Sequence, residues 1–215
     1  MNRKITKQQT TGMLLAVCDK IIVSEPELTR IDISSGDGDH GVGMKAGFSS
    51  VKKMLETEEF DSVPSVFKAV GMKLIDVMGG ASGVIFGTLF ISGLNNLKEM
   101  DFLDISEFSE MLAFSAQSIM QRGGAREGDK TMLDALCPAV KAMAAAAKEG
   151  EPFALCAEKA FKAAAAGFEN TKSLTAKKGR AAMFTDKAAG KYDAGALSVK
   201  LIFEAVYEFI KPLSF

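Results

Sequence analysis

The chain reads as an all-α bundle, and three observations predict it. Apolar residues recur at helical spacing through nearly the whole length. Neither short β-like run has a partner run to pair with. The breaks between periodic segments are glycine-rich and recur at intervals of two helices. About eight helices follow, running up and down as one domain over residues 1–215.

The first helix spans Thr6 to about Ile22, with Met13, Leu14, Val17 and Ile21 on one stripe. Ile21-Ile22-Val23 and Thr29-Arg30-Ile31-Asp32-Ile33 have some β character, but each is short. An acidic loop follows, and the helical pattern resumes from Val42 to about Leu55 through Met44, Phe48 and Val51. Ser62 is a good N-cap and Pro64 falls in the first turn, where a missing N–H costs nothing. That helix stops at Gly79-Gly80, and a strongly apolar helix is expected from Val84 to Leu97. Asp104-Ile105-Ser106-Glu107 resembles a capping box and opens a helix to about Gln121. Lys130–Lys148 and Pro152–Lys172 are alanine-rich helices whose small side chains allow close approach, with Pro138 placed to kink the first. Gly195–Ile210 is the last helix. The segment from Ser173 to Asp193 has no clear period, which marks a functional loop.

Order alone carries one spatial inference. In an up-and-down bundle, loops separated by two helices lie at the same end. The breaks near 32–41, 79–83, 123–129 and 173–195 therefore share one rim. An acidic loop, two glycine-rich loops and a basic loop on one face form a plausible site for a metal–polyphosphate ligand.

Composition excludes several classes. At 215 residues, 47% hydrophobic and 25% charged, the chain is ordinary for a soluble domain. A net charge of -1 gives no general pull toward nucleic acid or membrane, and no apolar run approaches the ~18 residues of a membrane span. Three dispersed cysteines, Cys18, Cys137 and Cys156, suit a reducing compartment. No signal peptide is recognisable at Met1-Asn2-Arg3-Lys4, so a cytoplasmic location is expected. With a single histidine, a zinc site is improbable.

The chemistry concentrates in Asp32-Ile33-Ser34-Ser35-Gly36-Asp37-Gly38-Asp39-His40-Gly41. Residues two apart on a helix point to different faces, so Asp37 and Asp39 converge only in a loop that glycines allow to fold. Three converged carboxylates repel unless a cation sits among them, and a hard divalent ion with oxygen ligands is the natural occupant. The string Gly36-x-Gly38-x-x-Gly41 formally matches a dinucleotide fingerprint, but it lacks a βαβ context and places aspartates where phosphates would lie. An EF-hand fails because the twelfth position, counted from Asp32 or Asp37, is Gly43 or Phe48 and not Glu. His40 is either a structural loop residue or a group that contacts phosphate or orients a carboxylate. Ser82, opening a helix after Gly79-Gly80, offers outward N–H groups to an anion. Lys177-Lys178-x-Arg180 reads as a solvated face, or less readily as a nucleic-acid contact, since aromatic residues are not interleaved with it.

Five ordered strings resemble the L subunit of bacterial dihydroxyacetone kinases over essentially the whole chain. They are Asp32-x4-Asp37-Gly38-Asp39-His40-Gly41, Gly79-Gly80-Ala81-Ser82-Gly83 with Phe86-Gly87-Thr88, Arg122-Gly123 with Gly128-Asp129-Lys130-Thr131-Met132, Lys178-Gly179-Arg180-Ala181, and Asp193-x-Gly195-Ala196. The resemblance implies an eight-helix barrel with ADP or ATP on one rim. It implies two Mg²⁺ ions on Asp32, Asp37 and Asp39, which are then also the catalytic carboxylates. His40, Gly41, Gly43, Ala81 and Ser82 would meet the nucleotide phosphates. Gly123, Met132 and Arg180 would line the nucleotide pocket, and Asp193, Ala194 and Gly195 would close it. The implied chemistry is phosphoryl transfer to dihydroxyacetone or a related short ketose held by a separate K subunit. The donor is either ATP or a bound ADP recharged by a phosphotransferase-system M subunit.

This chain departs from the family pattern at Gly43 and Lys45, where asparagines are usual, and at Ala194, where proline is common. Gly43 removes a side-chain contact and Lys45 adds a charge near the loop. Two other readings compete: a non-catalytic regulator that binds Mg-nucleotide and a transcription factor, and a nucleic-acid module built on the basic loop. Oligomeric state stays open, a homodimer included.

Overall fold

The computed structural model describes residues 3–94, 97 and 100–214, with backbone alone for 184–186 and 214. Its main helices are α1 (Lys7–Val23), α2 (Glu25–Ser35), α3 (His40–Thr57), α4 (Val63–Met78), α5 (Gly80–Ile91), α6 (Ile105–Gly123), α7 (Leu133–Lys148), α8 (Phe153–Asn170), the four-residue α9 (Thr185–Ala188) and α10 (Ala194–Ile210). Helices α3 to α8 each pack on the next, α8 packs on α10, and α1 joins α10 to α3, so eight helices close a ring. Inside it lie Met13, Phe67, Phe90, Phe108 and Phe203, all buried, with Phe108 stacked 5.8 Å from Phe153. Among the described residues no helix is long and apolar enough to cross a membrane.

The caps explain where the helices begin. Thr6 with Gln9, Ser62 with Ser65, and Asp104 with Glu107 each form a reciprocal capping box. All three starts are those the sequence predicts, the last two with their caps. Asp193 caps α10 by accepting from Ala196 N at 2.7 Å.

The structure corrects four expectations. Glu25–Ser35 is a ninth long helix, although its β-branched residues suggested extended chain. Pro26 in its first turn, with Glu25 and Glu27 beside it, suits a helix start. Its spacing of Leu28, Ile31, Asp32 and Ser35 puts one face against α3 and α10, and that burial overrides β propensity. Asp32 therefore leaves from a helix end, and the loop proper is only residues 36–39. A short antiparallel pair also exists, β1 (Lys4–Thr6) with β2 (Phe102–Asp104), in register Ile5↔Leu103. Helix α5 ends at Ile91 and not at Leu97; Asn95 and Asn96 of that expected helix lie outside the described residues, as do Met1 and Asn2. Helix α7 starts at Leu133, leaving Lys130-Thr131-Met132 in the preceding loop.

Pro138 sits inside α7 without ending it. It cannot return a hydrogen bond to the Asp134 carbonyl. That carbonyl lies against Gly167 of α8, where an added Cβ would also come within 2.9 Å of Ala135 Cα. Gly167→Ala must push two backbones apart. It is expected to destabilise the fold by about 1–3 kcal/mol, read as a lowered urea midpoint at unchanged slope.

The extra helix leaves the rim inference intact. The four loops now follow α2, α4, α6 and α8, still every second long helix, and residues from all four line one cleft.

Candidate functional site

The cleft, about 190 Å³, lies at the rim between the 36–39 loop, the start of α5, the 128–132 loop and the 178–195 segment. Asp32 anchors its acidic side. Asp32 Oδ2 accepts from Gly38 N at 2.9 Å and from His40 N at 3.1 Å, so one buried carboxylate folds the loop around itself. Two glycines make this possible. Gly38 has φ +89°, and a Cβ at Gly36 would come within 2.5 Å of Asp32 Oδ1. Asp37 and Asp39 then project outward, and one oxygen from each of Asp32, Asp37 and Asp39 lies within 4.8 Å of the others. Partial burial and repulsion from Asp37 and Asp32 push the Asp39 carboxyl above its ordinary pKa. The nearest relief is Arg180, whose Nε lies 3.1 Å from Asp37 Oδ2. An all-oxygen donor set under mutual repulsion fits Mg²⁺, and these three residues would hold it.

His40 opens α3. Its Nε2 lies 2.8 Å from Ser198 Oγ, and Ser198 Oγ donates to Ala194 O at 3.1 Å. Since the serine proton is committed there, His40 is assigned as the Nε2–H tautomer donating to Ser198. Burial lowers its pKa against the opposing pull of Asp32 and Asp37. The ring thus ties the acidic loop to α10, and its N–H is already engaged.

Across the cleft, Gly79 and Gly80 both have positive φ, which allows α5 to start immediately after α4 ends. Ala81 and Ser82 lie exposed in the first turn of α5, where backbone N–H groups lack intrahelical partners and favour an anion. A second, mainly apolar hollow adjoins here, lined by Val84, Ile85, Ile119, Gly123, Met132 and Leu133 among others.

The fourth wall is the 171–193 segment. Besides Arg180 on Asp37, Lys187 Nζ donates to Gly36 O at 3.0 Å, so this segment rests on the acidic loop. At its end Asp193 caps α10 while partly buried beside Asp134 and Lys130. Burial outweighs the cap and raises its pKa to about 7. The ordinary value is 3.8, so folding favours the protonated carboxyl. Its contribution to stability is complete below pH ~4 and is lost as pH rises through ~7. Asparagine keeps the cap without the charge. Asp193→Asn is therefore expected to gain melting temperature relative to the parent between pH 5 and 8, with the two converging toward pH 4.

The residues singled out from sequence divide. Asp32, Asp37, Asp39, His40, Ala81, Ser82, Met132, Arg180, Asp193, Ala194 and Gly195 line the cleft. Gly123 lines only the adjoining hollow. Gly41 and Gly43 line neither. Gly41 packs on α2, where a Cβ would meet Thr29 N at 2.6 Å and Glu25 O at 2.7 Å, and Gly43 faces open space. Lys45 pairs with Glu25 at 3.5 Å, so α2 takes up its charge. Sequence reasoning gave no part in the ligand site to Lys130, Thr131, Phe86 and Lys178, which also line the cleft, or to Ser198, which holds His40. The first four stand inside the motif strings and were within reach; Ser198 carried no local signal.

Three comparisons bear on this arrangement. The DAK2 domain model matches residues 34–208. The chain is 33% identical over 191 residues to the PEP-dependent dihydroxyacetone kinase, ADP-binding subunit DhaL, of Escherichia coli, covering 88% of this chain and 91% of that protein. It is 31% identical over 181 residues to PEP-dependent dihydroxyacetone kinase 1, ADP-binding subunit DhaL, of Listeria innocua, covering 84% of this chain and 85% of that one. Among solved structures, the dihydroxyacetone kinase from C. freundii in complex with AMP-PNP and Mg²⁺ superposes with TM-score 0.73 at 26% identity. That match covers 97% of this chain but 35% of the other, so the chain corresponds to one part of a longer kinase.

Proposed function

The chain belongs to the DAK2 domain family, and from that premise we propose that it is the nucleotide-binding subunit of a kinase acting on dihydroxyacetone or a related short ketose. One observation carries the reading: three converged carboxylates share a cleft with the N-terminus of α5. A bare anion would be repelled by the first and a bare cation by the second. A magnesium–polyphosphate suits both, and the adjoining apolar hollow offers a place for the base. The names of the E. coli and L. innocua relatives, both ADP-binding subunits, agree with this.

The chain's own residues then have distinct tasks. Asp32, Asp37 and Asp39 hold the cations, two in this proposal. Bound Mg²⁺ would neutralise phosphate charge and polarise the phosphoryl group. The first-turn N–H groups at Ala81 and Ser82 donate to phosphate oxygens. His40 holds the acidic loop to α10 through Ser198. Met132, Gly123 and Arg180 border the nucleotide, and Asp193, Ala194 and Gly195 close the pocket. None of these side chains would bind a ketose covalently, so a K-type subunit supplies that part, and either ATP or an M-type phosphotransferase subunit supplies the phosphoryl group.

The test is a calorimetric titration with ADP, with and without Mg²⁺, followed by an assay with a K-type subunit and dihydroxyacetone. ADP binding that requires Mg²⁺, and ketose phosphorylation that requires both subunits, are expected. Equal ADP binding in EDTA would refute the metal–nucleotide site.

A further inference from the structure

We infer that Lys130 is a positioning residue: its ammonium clamps the neck of the 171–193 segment and so holds that segment over the acidic loop. Among the described residues it is the one fully buried lysine, 1% exposed. Its Nζ donates to Thr171 O and to Lys191 O, each at 2.5 Å. Those two carbonyls stand at opposite ends of the segment. Beside them, Asp193 N donates to Thr171 Oγ1 at 3.1 Å, closing the same neck a second time. Twenty residues of chain thus leave and return within reach of one ammonium.

The backbone is shaped to place it there. Lys130 has φ 59°, the one positive value outside glycine among the described residues. Such a conformation is costly for a residue with a long side chain and persists only where its surroundings impose it. Here Asp134 imposes it, with its carboxylate accepting from Gly128 N at 2.5 Å and Thr131 N at 2.7 Å on either side.

Stability alone does not account for a lysine in this place. An apolar residue of similar volume avoids the cost of desolvating an ammonium. That cost is visible as a lowered Lys130 pKa, which the nearby Asp193 and Asp134 only partly offset. What an apolar side chain cannot do is bridge two carbonyls from distant parts of the chain. The far end of the segment makes contacts of a different kind. Arg180 on Asp37 and Lys187 on Gly36 O are reversible contacts at the cleft's mouth. With the neck held, the tip can exchange partners without the segment leaving the cleft.

The clamp itself does not depend on the ligand, but its effect on affinity rests on the Mg-nucleotide reading. Limited trypsin digestion of the whole chain, mapped by mass spectrometry, separates the two. Without ligand, Lys130→Met is expected to be cut at Lys177, Lys178, Arg180 and Lys187 about tenfold faster than the parent, since cleavage tracks the open population. Cleavage elsewhere should be unchanged. Added Mg-ADP should protect both proteins, with the variant's midpoint shifted about tenfold upward. Lys130→Gln, which keeps a donor on a shorter stem, should fall between, and it serves as the readout if the methionine variant does not fold. Equal cleavage of the segment in parent and variant would overturn the clamp, as would acceleration in proportion at every site. If Mg-ADP protects neither protein while the ligand-free contrast holds, the clamp stands and the nucleotide reading fails.

Discussion

Asp32→Ala is expected to abolish measurable Mg-ADP binding, a loss of about 100-fold or more. The carboxylate combines two jobs. It converges with Asp37 and Asp39 where the proposed metal would sit, and it accepts the Gly38 and His40 backbone N–H groups that fold the loop. Deleting it strands two donors at roughly 1–3 kcal/mol each, so the loop opens and the remaining carboxylates separate. At about 1.4 kcal/mol per tenfold, the middle of that range reaches the stated loss before any metal charge is counted. Asp32→Asn keeps an acceptor and loses the charge, so it should bind more weakly than the parent and more tightly than the alanine variant. Calorimetry in excess Mg²⁺ reads the order parent, Asn, Ala. An alanine variant with parental affinity would show that the loop does not depend on this residue.

Arg180→Ala is expected to lower kcat for ketose phosphorylation by about 10²–10³ while changing Mg-ADP affinity several-fold at most. Arg180 is two-thirds exposed and pairs with the exposed Asp37, and ion pairs of that kind contribute little to binding. Its value lies in its position. It lines the cleft beside Asp37, with a charge to set against a phosphoryl group in transfer. Steady-state kinetics with a K-type subunit and calorimetry on the same protein separate the two effects. A kcat within threefold of the parent would remove Arg180 from the reaction and leave it as a latch on the acidic loop.

Much of the site was legible because its signals are local. Carboxylates and glycines within ten residues mark a loop where the carboxylates converge, and capping boxes at Ser62 and Asp104 mark helix starts with side chains three residues away. Helix α2 was misread because its local propensity and its tertiary fate disagree. Sequence adjacency assigns Gly41 to the ligand and puts the charge of Lys45 near the loop; helix geometry turns both toward α2.

By itself, the sequence determined the all-helical class, the place of the breaks, their common rim and the oxygen-rich chemistry of the acidic string. Periodicity, capping and loop parity act along the chain, where neighbours in sequence remain neighbours in space. Only the tertiary structure decided that His40 belongs to Ser198, that Glu25 takes up the charge of Lys45, and that Lys130 gathers the two ends of a distant segment. Each of those pairings spans 20 or more residues. Charge balance and close approach at that range depend on which surfaces the closed ring of helices brings together, and no local pattern records that choice.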